Sequence, residues 1–432
     1  MPTAARISAF ALATALTATA FTATAAPAFA TTSASPSANA GAPASAAPLP
    51  VGLYGATSPT YDGVFRQGLS LMALHAEGVT PAVSAVSWLT GQQCADGGWE
   101  PYRADPAKAC TPSQEDTNST AMAVQALVAL GGQEAAVGKA VAWYRKVQNS
   151  DGGWSYNPGT ASDADSTGLV VSALEAARTD PTTVVKDGHT GVQGLDSFQL
   201  GCSAPAAQQG GFAHQPGTGG KLVANDAASA QAALAAAGGF LPVGAATGGA
   251  SAKPSTDPSA GCSDSGQAAA QYLAKRITAG GDHISAAVAG APAAPDYSST
   301  AWAALSLANS GWSAPAASAV QWLRENGEAW IQGQTGVPLS SALALLILDA
   351  RATGLNPHEF GTTDLVAQLI AIGPAPAATP AAAPNTPAAA ADVAATSGSK
   401  GISPWWVFGV VLLVAIGVGI LISYNRAKSK RS

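Results

Sequence analysis

Gln93-Cys94-Ala95-Asp96-Gly97-Gly98-Trp99 and Gln148-Asn149-Ser150-Asp151-Gly152-Gly153-Trp154 are two copies of one phrase, Q-x-x-x-G-x-W. An aromatic-bearing helical stretch precedes each copy: Val86-Ser87-Trp88-Leu89 before the first, Val141-Ala142-Trp143-Tyr144 before the second. An acidic, Ser/Thr-rich helix start follows each. Asp-Gly-Gly makes the turn, Trp packs back, and Gln is placed to cap a neighbouring helix end. The unit is helix–turn–helix, and a repeated unit decides the architecture.

Working outward, further helix starts share the form. Asp116-Thr117-Asn118-Ser119-Thr120, Asp163-Ala164-Asp165-Ser166-Thr167 and Asp296-Tyr297-Ser298-Ser299-Thr300 are the clearest, and Asn225-Asp226-Ala227-Ala228-Ser229 is a fourth. Carboxylate and hydroxyl oxygens at these positions accept the orphan amide protons of a first turn. Tyr61-Asp62-Gly63 and Pro338-Leu339-Ser340-Ser341 fit loosely. The six helices so opened are apolar or small around most of their circumference, which predicts burial on most sides. Alternating with them are six amphipathic stretches: 81–93, 134–147, 192–200, 267–277, 316–326 and 364–370. No convincing strand alternation appears. The expectation is an all-α fold, a ring of about six inner and six outer helices.

The phrases resemble the QW repeats of squalene and oxidosqualene cyclases, with degenerate copies at Gln208-Gln209-Gly210-Gly211-Phe212 and Gln321-Trp322. The D-x-x-S-T-A starts are similar to those of the wider terpenoid cyclase and protein prenyltransferase superfamily. The resemblance implies an α/α toroid over Val51 to Ile372. Within it Gln93, Gly97, Trp99, Gln148, Gly152 and Trp154 are structural repeat positions. The same toroid occurs in cobalamin carriers of the transcobalamin type, so a fold is implied and not a function.

Both ends of the 432-residue chain read differently. Residues 1–30 have the form of a secretory signal ending in Ala28-Phe29-Ala30. Residues 31–50 are Ala/Ser/Pro/Thr-rich and uncharged, which predicts a disordered segment. Residues 373–404 read as an Ala/Pro-rich linker. Trp405 to Tyr424 are uncharged and long enough for one transmembrane helix, since 20 helical residues span roughly 30 Å. Residues 425–432 form a basic tail, which predicts a cytoplasmic C-terminus and an extracytoplasmic domain at the cell membrane. A net charge of −6 without a basic face speaks against a nucleic-acid partner. The four cysteines of an exported chain read as two disulfides. Of three pairings, Cys94–Cys110 closes the first inter-helix loop and leaves Cys202–Cys262. No metal site or cofactor is expected, because no Cys-x-x-Cys occurs and the five histidines are scattered.

Class II terpene cyclases carry D-x-D-D at an inner-helix start, where the middle acid must stay protonated. Asp163 and Asp165 match that pattern, but Ser166 stands at its last position. N-capping is the plainer role for Asp163. The helix starts predict a ring of polar groups at one mouth: Tyr61, Asp62, Asp116, Asp163, Asp165, Asp226, Asp296, Tyr297 and Trp302. Such a mouth suits a small molecule. The expected function is non-catalytic capture of a vitamin-like molecule, with cobalamin as the first candidate, or of an isoprenoid or a partner such as a transport protein. The competing readings are a cyclase-like or prenyltransferase-like enzyme using Asp163/Asp165, and a structural surface protein.

Overall fold

The computed structural model describes residues 49–244, 264–286, 292–334 and 336–377. The expected signal, transmembrane helix and tail, most of the linker, and Cys262 lie outside these residues. Every element below belongs to the unit that begins at Val51. Among the described residues no helix is long and apolar enough to cross a membrane.

Six helices form the inner ring: α1 (Gly63–Ala76), α3 (Thr117–Leu130), α5 (Ala164–Ala176), α7 (Asp226–Ala236), α9 (Tyr297–Asn309) and α12 (Ser340–Thr353). Each packs on the next, and α12 packs back on α1. Six others cover them: α2 (Val83–Gly91), α4 (Glu134–Val147), α6 (Gly191–Asp196), α8 (Ser265–Ala279), α10 (Ser313–Asn326) and α13 (Leu365–Ala371). A short α11 (Glu328–Ile331) follows α10. The only strands among the described residues are two hairpins with two residues per strand: β1 (Val185–Lys186) with β2 (His189–Thr190), and β3 (Ser285–Ala286) with β4 (Ala294–Pro295). The all-α expectation holds, and the ring closes.

Closure is made by the first and last described segments. Gly55 donates its backbone N–H to Ile372 O at 2.8 Å, and Ala377 donates to Thr80 O at 3.0 Å. A side chain at Gly373 would collide with the buried ring of Tyr54. The Arg66 guanidinium, 1 % exposed, ties the N-terminal segment down through Tyr54 O at 3.0 Å and Thr57 O at 2.8 Å. The contacts therefore run five residues past Ile372, into the segment read as linker.

The helix-start motif has a geometric explanation that recurs from unit to unit. Trp99 donates its backbone N–H to Thr120 Oγ1 at 2.9 Å. Trp154 donates to Thr167 Oγ1 at 3.0 Å, Phe212 to Ser229 Oγ at 2.8 Å, and Ile284 to Thr300 Oγ1 at 3.0 Å. In return, Trp99 O accepts from Asp116 N at 2.7 Å and Trp154 O from Asp163 N at 3.1 Å. The fourth residue of α3, α5, α7 and α9 thus clasps the turn that precedes its helix, at an aromatic residue in the first three and at Ile284 in the last. The turn glycines are held at positive φ, Gly97 at 116° and Gly152 at 85°. A Cβ at either would collide with a backbone carbonyl of the next unit, Lys139 or Thr190. Gln93 Nε2 bridges Gly97 O at 3.0 Å to Ala136 O at 2.9 Å, and Gln148 Nε2 bridges Gly152 O to Val184 O. Glutamine therefore staples its own turn to the following unit, at the outer helix α4 for Gln93 and ahead of α6 for Gln148.

One repeat assignment changes. The third unit's staple is Gln199, whose Nε2 donates to Gly210 O at 3.1 Å and Ser265 O at 2.8 Å. Gln208 and Gln209 lie in an insertion between that glutamine and Gly210-Gly211-Phe212. The insertion broke the Q-x-x-x-G-x-W spacing and disguised the copy.

The ring is filled. Leu69 through Leu74 are each 0 % exposed, and Ser119 through Ala126 are at most 1 % exposed. Ala342 through Ala350 are at most 3 % exposed. Runs of that length point in every direction around a helix, including toward the ring axis. At the C-terminal end of the ring, the segment after α7 crosses inward. Leu241 donates its N–H to Gln125 Oε1 of α3 at 2.8 Å, and Ser172 of α5 donates to Gly239 O at 2.8 Å. Leu241 is 1 % exposed, so this segment is part of the core. Cys94 and Cys110 form the expected disulfide. Cys202 is also disulfide-bonded, and the pairing expected for it, with Cys262, falls outside the described residues.

Candidate functional site at the helix N-termini

The inner helices run parallel, so their acidic starts share one end of the ring. Backbone bonds knit that end together: Val64 N to Pro101 O, Thr117 N to Tyr156 O, and Ala164 N to His214 O. Each of these loops precedes the neighbouring inner helix.

Most predicted mouth carboxylates are already occupied. Asp116 accepts from Asn118 N at 2.8 Å, Ser119 N at 3.1 Å and Ser119 Oγ at 2.5 Å. Asp296 accepts from Ser299 N at 2.9 Å and Ser299 Oγ at 2.7 Å. Asp62 caps nothing; it pairs with Arg66 Nη1 at 3.0 Å. Asp226 accepts Tyr272 Oη at 2.6 Å and a forked pair of bonds from Arg276, with Nη2 at 2.7 Å. Tyr61 is 85 % exposed at the start of α1, whereas Trp302 is 2 % exposed and sits in the core. Tyr297 turns toward α10 and α11, where its ring meets Trp322 and Trp330.

The exception is around α5. Asp163 caps the helix, accepting from Ser166 N at 2.7 Å and Ser166 Oγ at 2.9 Å. Ser166 therefore does what Ser119 and Ser299 do in their own units. Asp165 departs from the other starts, where Asn118, Ala227 and Ser298 stand. Its Oδ2 lies 2.5 Å from His214 Nδ1, on the loop before α7. That bond holds the His214 imidazole protonated to a higher pH than usual. Burial pushes the Asp163 carboxyl up, and the charge of Asp165 adds to this. Sequence reading did not find His214: the histidine is isolated in its own segment, and only the ring brings it to α5.

Asp163, Asp165 and His214 place one donor atom each within 4.8 Å of one another. A divalent ion bound at about 2.0–2.2 Å would hold its ligands roughly 3 Å or more apart. The 2.5 Å Asp165–His214 contact is a charge-assisted hydrogen bond instead. What the cluster can do is accept or deliver a proton at the mouth. Cys94, Cys110 and Glu115 also converge, but the disulfide removes both thiolates.

Residues 63–162 match the family model of the squalene-hopene cyclase C-terminal domain. Together with ring closure, the match supports a terpenoid-cyclase-like α/α toroid. It covers α1 to α4 with both Q-x-x-x-G-x-W turns and the first clasp, and ends before Asp163 and Thr167. No curated protein matches the chain.

Proposed function

We propose that the toroid is a capture module. It holds a small molecule or a partner at its N-terminal mouth without turning it over, on the outer side of the membrane to which Trp405–Tyr424 anchors it. The observation that carries this reading is the filled ring. A cyclase must enclose its folded substrate away from water, and here α1, α3 and α12 have no accessible side along their middle turns. The carboxylates at the mouth serve as caps and ion pairs, which also favours binding over chemistry. A vitamin-like ligand such as cobalamin is the first candidate and an isoprenoid the second. The test is native mass spectrometry of the detergent-extracted full chain. A stoichiometric co-purified molecule that Asp165→Asn or Tyr61→Ala releases supports capture; a clean apo-protein that retains neither cobalamin nor an isoprenoid diphosphate rejects it.

One observation favours a second reading, a proton-transfer catalyst. Asp165 and His214 form a pair that the other inner-helix starts lack among the described residues, with a protonation-prone Asp163 beside it. Turnover of an isoprenoid abolished by Asp165→Asn, with helicity intact, would establish that reading.

A further inference from the structure

We propose that the Cys94–Cys110 bridge is redox-active: it oxidises a dithiol by thiol–disulfide exchange, and Glu115 delivers a proton to the departing Cys94 sulfur. This activity does not rest on the mouth reading: a toroid that captured nothing there would still carry it.

The first repeat departs from the second at positions that meet in space. In the second, Asn149 Nδ2 donates to Thr160 O at 3.0 Å and to Ser162 Oγ at 2.9 Å, and Ser162 Oγ donates to Asp151 at 2.8 Å. In the first, Cys94 stands at the place of Asn149 and Asp96 at that of Asp151. Glu115 replaces Ser162 as the residue directly before the capping aspartate. A hydroxyl facing an aspartate has thus become a second acid facing an aspartate. Glu115 is 2 % exposed, accepts the Trp143 indole N–H at 2.6 Å, and lies within hydrogen-bonding reach of Asp96. Asp96 is paired in turn with Lys146 at 3.4 Å. Two carboxyls in such contact hold a proton between them. A Glu115 carboxyl oxygen and both bridge sulfurs all lie within 4.8 Å of one another. Packing accounts for a serine at this place, as the second repeat shows. It does not account for a buried acid beside a disulfide.

A redox pair must also keep its place when open, and Arg103 provides for this. Its guanidinium donates to Gln92 O and Gln93 O on one side and to Pro106 O and Lys108 O on the other. Its backbone N–H donates to Gln92 Oε1 at 2.6 Å, and Thr111 N–H donates to Glu100 at 2.6 Å. The loop between the cysteines is therefore fastened without the bridge. The two sulfur-bearing residues differ in access. Cys94 is 3 % exposed, whereas Cys110 is part-exposed between exposed residues 104–109 and 111–114.

Access sets the direction of exchange. A thiolate of the dithiol attacks Cys110 Sγ and bonds to it. The Cys94–Cys110 bond breaks, its electron pair goes to Cys94 Sγ, and that sulfur takes the Glu115 proton. Without the proton a thiolate would be left buried, which is unfavourable, and a poor leaving group slows exchange. The second thiol then gives its proton to the Glu115 carboxylate and attacks the mixed disulfide, expelling Cys110 as a thiolate. The dithiol departs as a disulfide, both cysteines are reduced, and Glu115 is protonated again.

Dithiothreitol is the probe dithiol. The detergent-solubilised full chain is treated with it across about pH 5.5 to 8.5, quenched with an alkylating agent and mapped by mass spectrometry, and each rate is divided by the thiolate concentration. The corrected rate at Cys94–Cys110 should fall as pH rises through about 7, where Glu115 loses its proton. Glu115→Gln, which keeps an acceptor for Trp143, should remove that fall and slow opening about tenfold at about pH 6. The disulfide of Cys202 in the same chain is the reference, and neither change should touch it. Asp96→Asn should move the fall to lower pH, because the neighbouring charge that holds the Glu115 proton is gone. Helicity should survive opening of the bridge. A corrected rate independent of pH overturns the proposal, as does a Glu115→Gln rate equal to wild type, or a bridge that opens only when the domain unfolds. Should Glu115→Gln fail to fold, Asp96→Asn decides: a fall that stays at the wild-type pH overturns the proposal.

Discussion

At the residue scale, most polar side chains at the mouth are architectural, and their roles are separable by mutation. Thr120 and Thr167 each clasp a buried tryptophan turn. Replacing either by Val leaves a buried N–H unsatisfied and should cost about 1–3 kcal/mol, read as a lower midpoint in urea. Asp163→Ala removes a helix cap and should cost about 1 kcal/mol, with any ligand retained; loss of ligand with unchanged stability would reverse that assignment. Asp349 is the outlier in the core. It is 0 % exposed, and neither carboxyl oxygen has a hydrogen-bond partner among the described residues. Burial pushes its carboxyl well above the usual range. Burial also pushes Asp116 up to about 6, and burial with the nearby Asp96 charge pushes Glu115 up to about 7. A carboxyl with a raised folded pKa binds its proton more tightly folded than unfolded. Its contribution is present at low pH and is lost as pH rises from the unfolded value toward the folded one. His214, raised by Asp165, acts in the same direction. The domain should therefore melt higher at about pH 5 than at about pH 8, and Asp349→Asn should narrow that gap. A wild-type melting temperature that rises across this range would contradict the assignment.

At the element scale, the turns rather than the helices carry the repeat. Gly97 and Gly152 sit at positive φ against a carbonyl of the next unit. A Gly97→Ala substitution should destabilise well beyond the roughly 1 kcal/mol range of a surface change, because both backbone strain and a collision result. The segment after α7 is an element that the helix pattern did not announce. Leu241→Ala should cost about 2–5 kcal/mol, as for other buried leucines. A thermal shift no larger than that of an exposed control such as Val83→Ala would show that the segment does not plug the ring.

At the scale of the whole molecule, closure makes the ring cooperative, since each inner helix needs both neighbours to bury its faces. A fragment spanning 51–377 should show dominant helix by circular dichroism and one sharp melt. A fragment ending at Ile372 lacks the Gly373 contact with Tyr54 and the Ala377–Thr80 bond, and should melt several degrees lower. Two separate transitions in the longer fragment would mean that the ring is not one folding unit.

The sequence by itself determined the number of helical pairs, their order and the mouth at which their starts gather. Those follow from local chemistry: aspartate and hydroxyl caps, glycine turns, and apolar periodicity repeated at short range. It also favoured the Cys94–Cys110 bridge among three possible pairings, because both cysteines flank one loop, and the structure forms it. Only the tertiary structure decided what the motifs do together. Asp165 became distinct from a capping aspartate when His214 arrived from the next unit, 49 residues away. Trp302 was drawn into the core and Tyr297 onto α10 and α11, because side-chain direction depends on how neighbouring helices pack. Whether the ring was hollow or filled depended on how well alanine-rich helices approach one another and on a loop crossing from α7 to α3. Such long-range packing leaves no periodic trace in the chain that encodes it.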